Sequence, residues 1–483
     1  MRRALSGSLL SLCLLAAAAV SLSPKSAAAA SPSLSDAQRA TAASLRDDAL
    51  KGTGAFEIVR SLTVEVGPRP AGSEADRRAV EWGVRTMREL GFTNVRAEAV
   101  KVPHWDAGVS TAAIVSPWPQ PLVVLPLGGS VATPDGGIEA EVVAVSSLDE
   151  LEKTAPETVR GKIVFLNKRM ERARDGAGYG QTVPGRGRGA AVAGKLGAVG
   201  LLLRSVGTDN NRTPHTGSSR YEEGGPRIPA AALSNPDADL LEAELTRHPK
   251  DKPVRVRLSL GTRTLGEADS ANVIGEITGR EKPDEVIVLG CHLDSWFPGT
   301  GAIDDGAGCA IMMEAARRIG ALPQKPRRTI RVVLFANEEF GLSGARAYAE
   351  QHAAELPKHV LAGESDFGSG RVWRISSRVA PEALPLVDEL AKLLAPFNVE
   401  RGDNDAEGGA DLSPMAPARV PVIGLGQDGT YYFDWHHTAN DTLDKIDPKD
   451  LDQNVAAWAA VAYAAAEMPG DFGRAPEVTE PRR

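Results

Sequence analysis

Five short segments in the second half of the chain place acidic or imidazole side chains directly after apolar runs. They are Cys291-His292-Leu293-Asp294-Ser295, Gly301-Ala302-Ile303-Asp304-Asp305-Gly306, Asn337-Glu338-Glu339, Glu364-Ser365-Asp366, and Asp434-Trp435-His436-His437-Thr438-Ala439-Asn440-Asp441. Each is unremarkable alone. A Glu-Glu pair is commonly solvated charge, Asp-Asp-Gly is commonly a turn or helix cap, and a lone histidine is commonly packed. Together they mean more, because three of only 8 histidines fall in these segments. Several carboxylates gathered in one place repel one another unless a cation lies between them. Two histidines with carboxylates and no thiol ligand suit zinc, cobalt or manganese.

The surrounding pattern supplies elements that can position them. Residues 285–289, 329–335, 360–363, 372–375 and 420–425 read as strands, and 306–319, 341–351 and 381–394 as helices. Asp447-Pro448 opens a long Ala-rich helix ending near Met468, since proline suits a first helical turn. Alternation of this kind predicts an α/β fold: a mainly parallel mixed sheet flanked by helices. Ligands of such sheets sit beyond the carboxyl ends of the strands, where the five segments fall. Upstream, residues 36–60 and 75–90 read as helices and 95–102 as a strand. Prolines at 117, 119, 121 and 126 mark a change of composition. From there to about residue 262 the pattern is β-rich, with strands at 161–166 and 199–203 and a small-residue helix at 189–196. The polar, glycine-rich stretch 207–226 reads as a mobile loop. No acid–histidine constellation is legible in this segment, which reads as a structural or substrate-restricting insert.

Composition bounds the function. The chain has 483 residues, 42% hydrophobic and 24% charged, so it can bury a full core. Its charge of −8 argues against a nucleic-acid partner. Three cysteines exclude a disulfide-stapled scaffold and a Cys₄ zinc site. The first thirty residues read as a secretory signal: Arg2 and Arg3, an apolar run from Leu9 to Ala19, then Ala27 to Ala30. That run is shorter than the ~20 residues a membrane span needs. Cleavage near Ala30 removes three cations and no acid, taking the charge from −8 to −11. The mature chain is then expected to be secreted or periplasmic, without membrane attachment. Cys291 and Cys309 remain, as a permitted disulfide or as buried thiols.

The ordered series His-Leu-Asp-Ser, Asp-Asp-Gly-Ala-Gly, Asn-Glu-Glu-Phe-Gly, Glu-Ser-Asp and His-Thr-x-x-Asp-Thr-Leu resembles the M28 family of co-catalytic zinc peptidases. Within that family it is most similar to the carboxypeptidase Q group of secreted dipeptidases. Val102-Pro103-His104-Trp105 and Gly409-Ala410-Asp411-Leu412-Ser413-Pro414 also resemble that group. The resemblance implies a signal peptide (1–30), an N-terminal part of the catalytic domain (31–115), a protease-associated (PA-like) insert (116–265), a di-metal catalytic domain (266–470) and a tail (471–483). It implies two Zn2+ per chain, other divalent metals being possible. His292, Asp304 and Asp366 would hold one. Asp304, Glu339 and His437 would hold the other, with Asp304 bridging and His436 flanking.

The same resemblance implies hydrolysis of a peptide substrate, with Glu338 as general base and Asp294 orienting the His292 imidazole. It also implies a homodimer and places 67–73 at the border of the cleft. Asp411, Tyr431 and Tyr432 are candidates to contact substrate termini and, more simply, structural residues. Competing activities are an aminopeptidase on longer peptides, a glutaminyl cyclase-like acyltransferase with one zinc, and a non-catalytic receptor-like binding protein.

Overall fold

The structure, a computed structural model, describes residues 33–247 and 252–477. The expected signal segment, 1–30, and the last part of the tail lie outside the described residues. Ser35 caps the helix Asp36–Ala49 through a capping box with Gln38. The single helix expected over 36–60 is two. The chain turns at Gly52, whose φ of 129° suits only glycine, and resumes as Ala55–Glu65.

The main sheet has eight strands in the order Thr93–Asp106, Arg263–Ile277, Arg328–Phe335, Lys282–His292, His359–Glu364, Val422–Gln427, Val372–Arg378, Glu400–Arg401. Its centre is parallel. Lys282–His292 pairs in parallel with Arg328–Phe335 on one side and His359–Glu364 on the other, and His359–Glu364 with Val422–Gln427. Three flanking pairs are antiparallel and the edge pair of Val372–Arg378 with Glu400–Arg401 is parallel, so the sheet is mixed as expected. Both faces are covered. In Arg328–Phe335, Ile330, Val332 and Leu334 enter one core cluster while Val333 and Phe335 enter another. On one face the Ala-rich helix Pro448–Glu467, capped by Asp447, packs against Asp36–Ala49 and Ala307–Gly320. Glu74–Glu89 packs on the strands Thr93–Asp106 and Arg263–Ile277.

Those two strands also frame a second sheet. The chain leaves the main sheet at Asp106, opposite Arg263, where it returns. Between these points lies an eight-stranded mixed sheet, ordered Gln120–Leu122, Ser110–Ser116, Arg255–Leu260, Ile138–Val145, Ile163–Leu166, Gly200–Arg204, Ala230–Leu233, Val124–Pro126. The small-residue helix expected at 189–196 begins earlier and runs Ala177–Lys195, through Pro184. Its glycines permit close approach to the sheet: a Cβ on Gly185 or Gly189 would stand 3.2–3.3 Å from Leu166. No helix among the described residues is long and apolar enough to cross a membrane.

Parallel register aligns the carboxyl ends of the central strands. His292 is level with Phe335, and Gly290 with Glu364. The helix Ala307–Gly320 starts so close to this edge that a Cβ on Gly308 would stand 1.9 Å from the Ser365 carbonyl and 2.3 Å from Asp305 Oδ1. We expect Gly308→Ala to lower unfolding stability by about 1–3 kcal/mol through overpacking, read as a reduced urea midpoint of the metal-free chain.

Candidate metal centre

His292 ends its strand fully buried. Its Nδ1 lies 3.0 Å from the main-chain carbonyl of Asp294. A carbonyl only accepts, so Nδ1 carries a proton and Nε2 points away from it. Nε2 faces Asp304 Oδ1 at 3.1 Å and Asp366 Oδ1 at 3.3 Å. The orienting contact from Asp294 is therefore its carbonyl. Its carboxylate is 3.8 Å from Nδ1 and instead accepts the Glu338 N–H at 3.0 Å.

A second cluster shares Asp304. His437 Nε2 lies 3.2 Å from Asp304 Oδ2 and 3.0 Å from Glu339 Oε2. Here too Nδ1 faces a main-chain carbonyl, that of Thr216 at 3.2 Å. Both histidines thus direct Nε2 at carboxylate oxygens: His437 as a neutral imidazole whose lone pair meets acceptors, His292 with a proton that bonds to Asp304 and that a cation would displace. Asp304 Oδ2 and Glu339 Oε1 are buried with no hydrogen-bond partner, despite the short approach of His437 to the former. Orphaned acceptors at this spacing fit a cation between them. Two such clusters sharing one aspartate fit a pair. His436 stacks on His437 with ring centroids 3.5 Å apart, and its Nε2 is 3.7 Å from Asp304 Oδ2. Asp304, His436 and His437 can also converge on one ion. His437 is the nearer, and only it has the Glu339 contact.

Electrostatics carry the same signature. Burial pushes Glu339 well above the carboxylate range, and the charge of Asp304 adds to it. Burial, with Asp366 and Asp294 nearby, pushes Glu338 up to about 8. Burial opposes charge on His292, but Asp366, Asp304 and Asp305 outweigh it and hold the imidazole well above its ordinary value. Burial pushes His437 down to about 4, which keeps it neutral, as a ligand must be.

Local folding holds these groups in place. The Asp304–Asp305 peptide is cis. Asp305 accepts the His292 N–H at 3.2 Å and the Gly308 N–H at 2.9 Å. Asp441 accepts the Ile303 N–H at 2.6 Å. In the 67–73 loop, the fully buried Arg69 guanidinium donates to the carbonyls of Leu293, Thr300 and Gly301. Cys291 and Cys309 are free, buried thiols, and Cys309 donates to the His292 carbonyl at 3.1 Å. Asn337 and His437 both adopt left-handed backbone, φ 59° and 62°, a cost that functional loops commonly carry.

Every residue singled out in the sequence as a ligand or base falls within this region, and Asp411 lies behind it, fully buried, donating its N–H to Glu364 at 3.0 Å. Tyr431 is exposed and stacks with Arg172. Sequence reading missed Trp296, whose indole donates to Glu339. It also missed the contribution of the 207–226 stretch. Part of that stretch is buried and hydrogen-bonded to the main sheet. Asp209, His215 and Thr216 are buried in it, with His215 Nε2 2.8 Å from Asp209 Oδ1, an acid–histidine pair where none was expected. Its only sequence signal was one of the 8 histidines in a polar setting.

Known proteins share this architecture. The sequence profile of peptidase family M28 matches residues 272–462. Carboxypeptidase Q of Mus musculus is 37% identical over 414 residues, covering 86% of both chains, and that of Homo sapiens 36% over the same length. A peptidase M28 precursor from Shewanella amazonensis superposes with a TM-score of 0.89 at 50% identity, covering 92% of this chain and all of its own. A zinc aminopeptidase from Bacillus subtilis, 20% identical with a TM-score of 0.62, shares the fold. The chain belongs to peptidase family M28 and is a metallopeptidase.

Protons on His292 and on the elevated carboxylates must leave when a cation enters. Zinc uptake should therefore release protons, and affinity should rise with pH, about tenfold per unit for each proton released. Calorimetry in buffers of different ionisation enthalpy checks this; heats independent of buffer would contradict it. His437→Ala should lower the bound-metal count by elemental analysis.

Proposed function

We propose that this M28 enzyme, a metal-dependent exopeptidase, hydrolyses dipeptides or other short peptides with two divalent cations, zinc by the chemistry of the donor set. In this reading His292 and Asp366 hold one cation, Glu339 and His437 the other, and Asp304 bridges. The observation that carries it is the convergence of two imidazole Nε2 atoms on a shared aspartate, with Glu339 and Asp366 completing the two sides.

Cations so held supply the charge that acidifies water and polarises a carbonyl. The chain's own groups do the rest. Glu338 is the proton acceptor. Its neighbour Glu339 is committed to the cage, whereas its own carboxyl makes no contact with the imidazoles. Burial raises Glu338 toward neutrality, which suits a base that would take a proton from water and return it to the leaving amine. Asp294 fixes the Glu338 backbone through its N–H. A groove of about 1790 Å³ opens from Glu364 and Asp366 past Trp373, Arg374 and Arg378, which gives a short substrate room beside the cage.

Two complete donor sets favour hydrolysis by two cations over a one-zinc acyltransferase or a binding protein without metals. The dipeptide preference rests on likeness to the carboxypeptidase Q relatives. The reading also includes export after cleavage near Ala30, the second sheet as a PA-like insert, and a homodimer.

Glu338→Gln should lose about 10²–10⁴-fold in kcat on a free dipeptide while keeping its zinc content. A chelator should abolish wild-type turnover. Parental turnover by metal-replete Glu338→Gln removes Glu338 from the mechanism, and turnover of only N- and C-blocked peptides removes the exopeptidase reading.

A further inference from the structure

The loop joining Gly200–Arg204 to Ala230–Leu233 belongs to the second sheet, yet it reaches across to the 436–437 turn of the main sheet and bonds to it at three points. His215 Nδ1 lies 2.7 Å from the His436 carbonyl. The Thr216 N–H donates to the His437 carbonyl at 3.1 Å, and the Thr216 carbonyl faces His437 Nδ1 at 3.2 Å. The last of these, shorter than the 3.4 Å approach of the Arg186 guanidinium to the same nitrogen, favours the His437 tautomer whose Nε2 lone pair faces Asp304 and Glu339. The first two hold a turn whose His437 is left-handed.

We propose that His215, braced by Asp209, is a positioning residue for the cation site that includes His437. His215 is fully buried, and no protein surface offers it a substrate. Its Nδ1 must be the donor, since a carbonyl faces it, and its other nitrogen is held 2.8 Å from Asp209 Oδ1. Asp209 is itself tied down: its Oδ2 accepts the Asn211 N–H at 2.9 Å, and Asn235 donates to the Asp209 carbonyl at 3.1 Å. The loop is shaped around this imidazole. A Cβ on Gly207 would stand 2.2 Å from His215 Cε1, so only glycine leaves room for the ring. The helix Ala177–Lys195 adds Arg186, whose guanidinium lies 3.4 Å from His437 Nδ1 and donates to the Tyr179 hydroxyl at 2.6 Å. A Cβ on Gly217 would strike that guanidinium at 2.4 Å. The second sheet is thereby a structural part of the metal centre and not only a wall beside it. The inference rests on the di-metal reading above, but its test needs no substrate.

The experiment is zinc-buffered titration of the full chain and of His215→Ala, His215→Asn and Asp209→Asn, with far-UV circular dichroism of the metal-free proteins to establish folding. Outer partners of metal-binding histidines are commonly worth 10–100-fold in affinity. We expect His215→Ala to lose at least about tenfold at one zinc site and little at the site of His292 and Asp366. Its kcat should fall with KM for a dipeptide near the parental value. His215→Asn should recover most of both, because its amide can donate to the His436 carbonyl. If His215→Ala does not fold, Asp209→Asn, which keeps the ring and its volume, should show a smaller loss in the same direction. Parental affinity at both sites in any folded alanine or Asp209→Asn chain overturns the proposal. So does equal weakening of both sites, or an asparagine variant no better than alanine. A wild-type chain that binds two zinc ions without turnover would overturn the peptidase reading and leave this one standing.

Discussion

The organising constraint in this protein is a crowd of acceptors in a dry pocket. Imidazole nitrogens and carboxylate oxygens stand 3.0–3.3 Å apart, and Asp304 Oδ2 and Glu339 Oε1 have no hydrogen-bond partner. Burial alone raises the cost of each negative charge, and proximity raises it further. Such an arrangement is stable only with positive charge inside it. Protons can provide that charge in the metal-free chain, and divalent cations provide it better, because each can be shared by several ligands at once. Much else in the structure follows from holding these groups together against repulsion.

The fold supplies that restraint from two directions. Parallel strands bring His292, the chain after Phe335, and Glu364 to one edge of the main sheet, with backbones locked by ladder hydrogen bonds. Loops that leave this edge are then pinned by buried groups: Arg69 on three carbonyls, Asp305 on His292 and Gly308, and Asp441 on Ile303. The other direction is the second sheet. Its strands return to the main sheet beside their point of departure, so its loops are held near the site. Gly128 lies against Trp296, where a Cβ would meet the indole at 2.1 Å, and Trp296 in turn donates to Glu339. An element with no donor in either cation cluster therefore bears on the second one twice, directly at His437 and through Trp296 at Glu339.

Not all the acidic groups are accounted for by the cage. Glu364 and Asp411 are buried side by side behind Asp366, and one Glu364 oxygen and both Asp411 oxygens lack a partner; burial pushes both above the carboxylate range, helped by Asp366 and Glu338 at Glu364 and by Glu364 and Glu338 at Asp411. Gly409 crosses Glu364 so closely that a Cβ would stand 1.9 Å from its Oε2. The packing is specific.

The sequence by itself determined the α/β class and six of the eight strands of the main sheet, and it singled out the residues proposed here for the metal cage. These are written in local terms: apolar runs of strand length, and acids or histidines directly after them, in an order that resembles one peptidase family. It was silent or misleading where the signal is not local. The helix Ala177–Lys195 hid behind its glycines and Pro184, because its stability comes from packing on Leu166 and Leu201, not from helix propensity. The stretch around His215 looked mobile because polar and glycine-rich composition describes a solvated loop and a tightly satisfied buried one equally well. Only the tertiary structure decided that Asp294 orients His292 through its carbonyl, that His437 is nearer the shared aspartate than His436, and that the second sheet grips the His437 turn. Each depends on distances between atoms more than 100 residues apart, or on which way a single ring nitrogen faces, and neither is encoded in spacing along the chain.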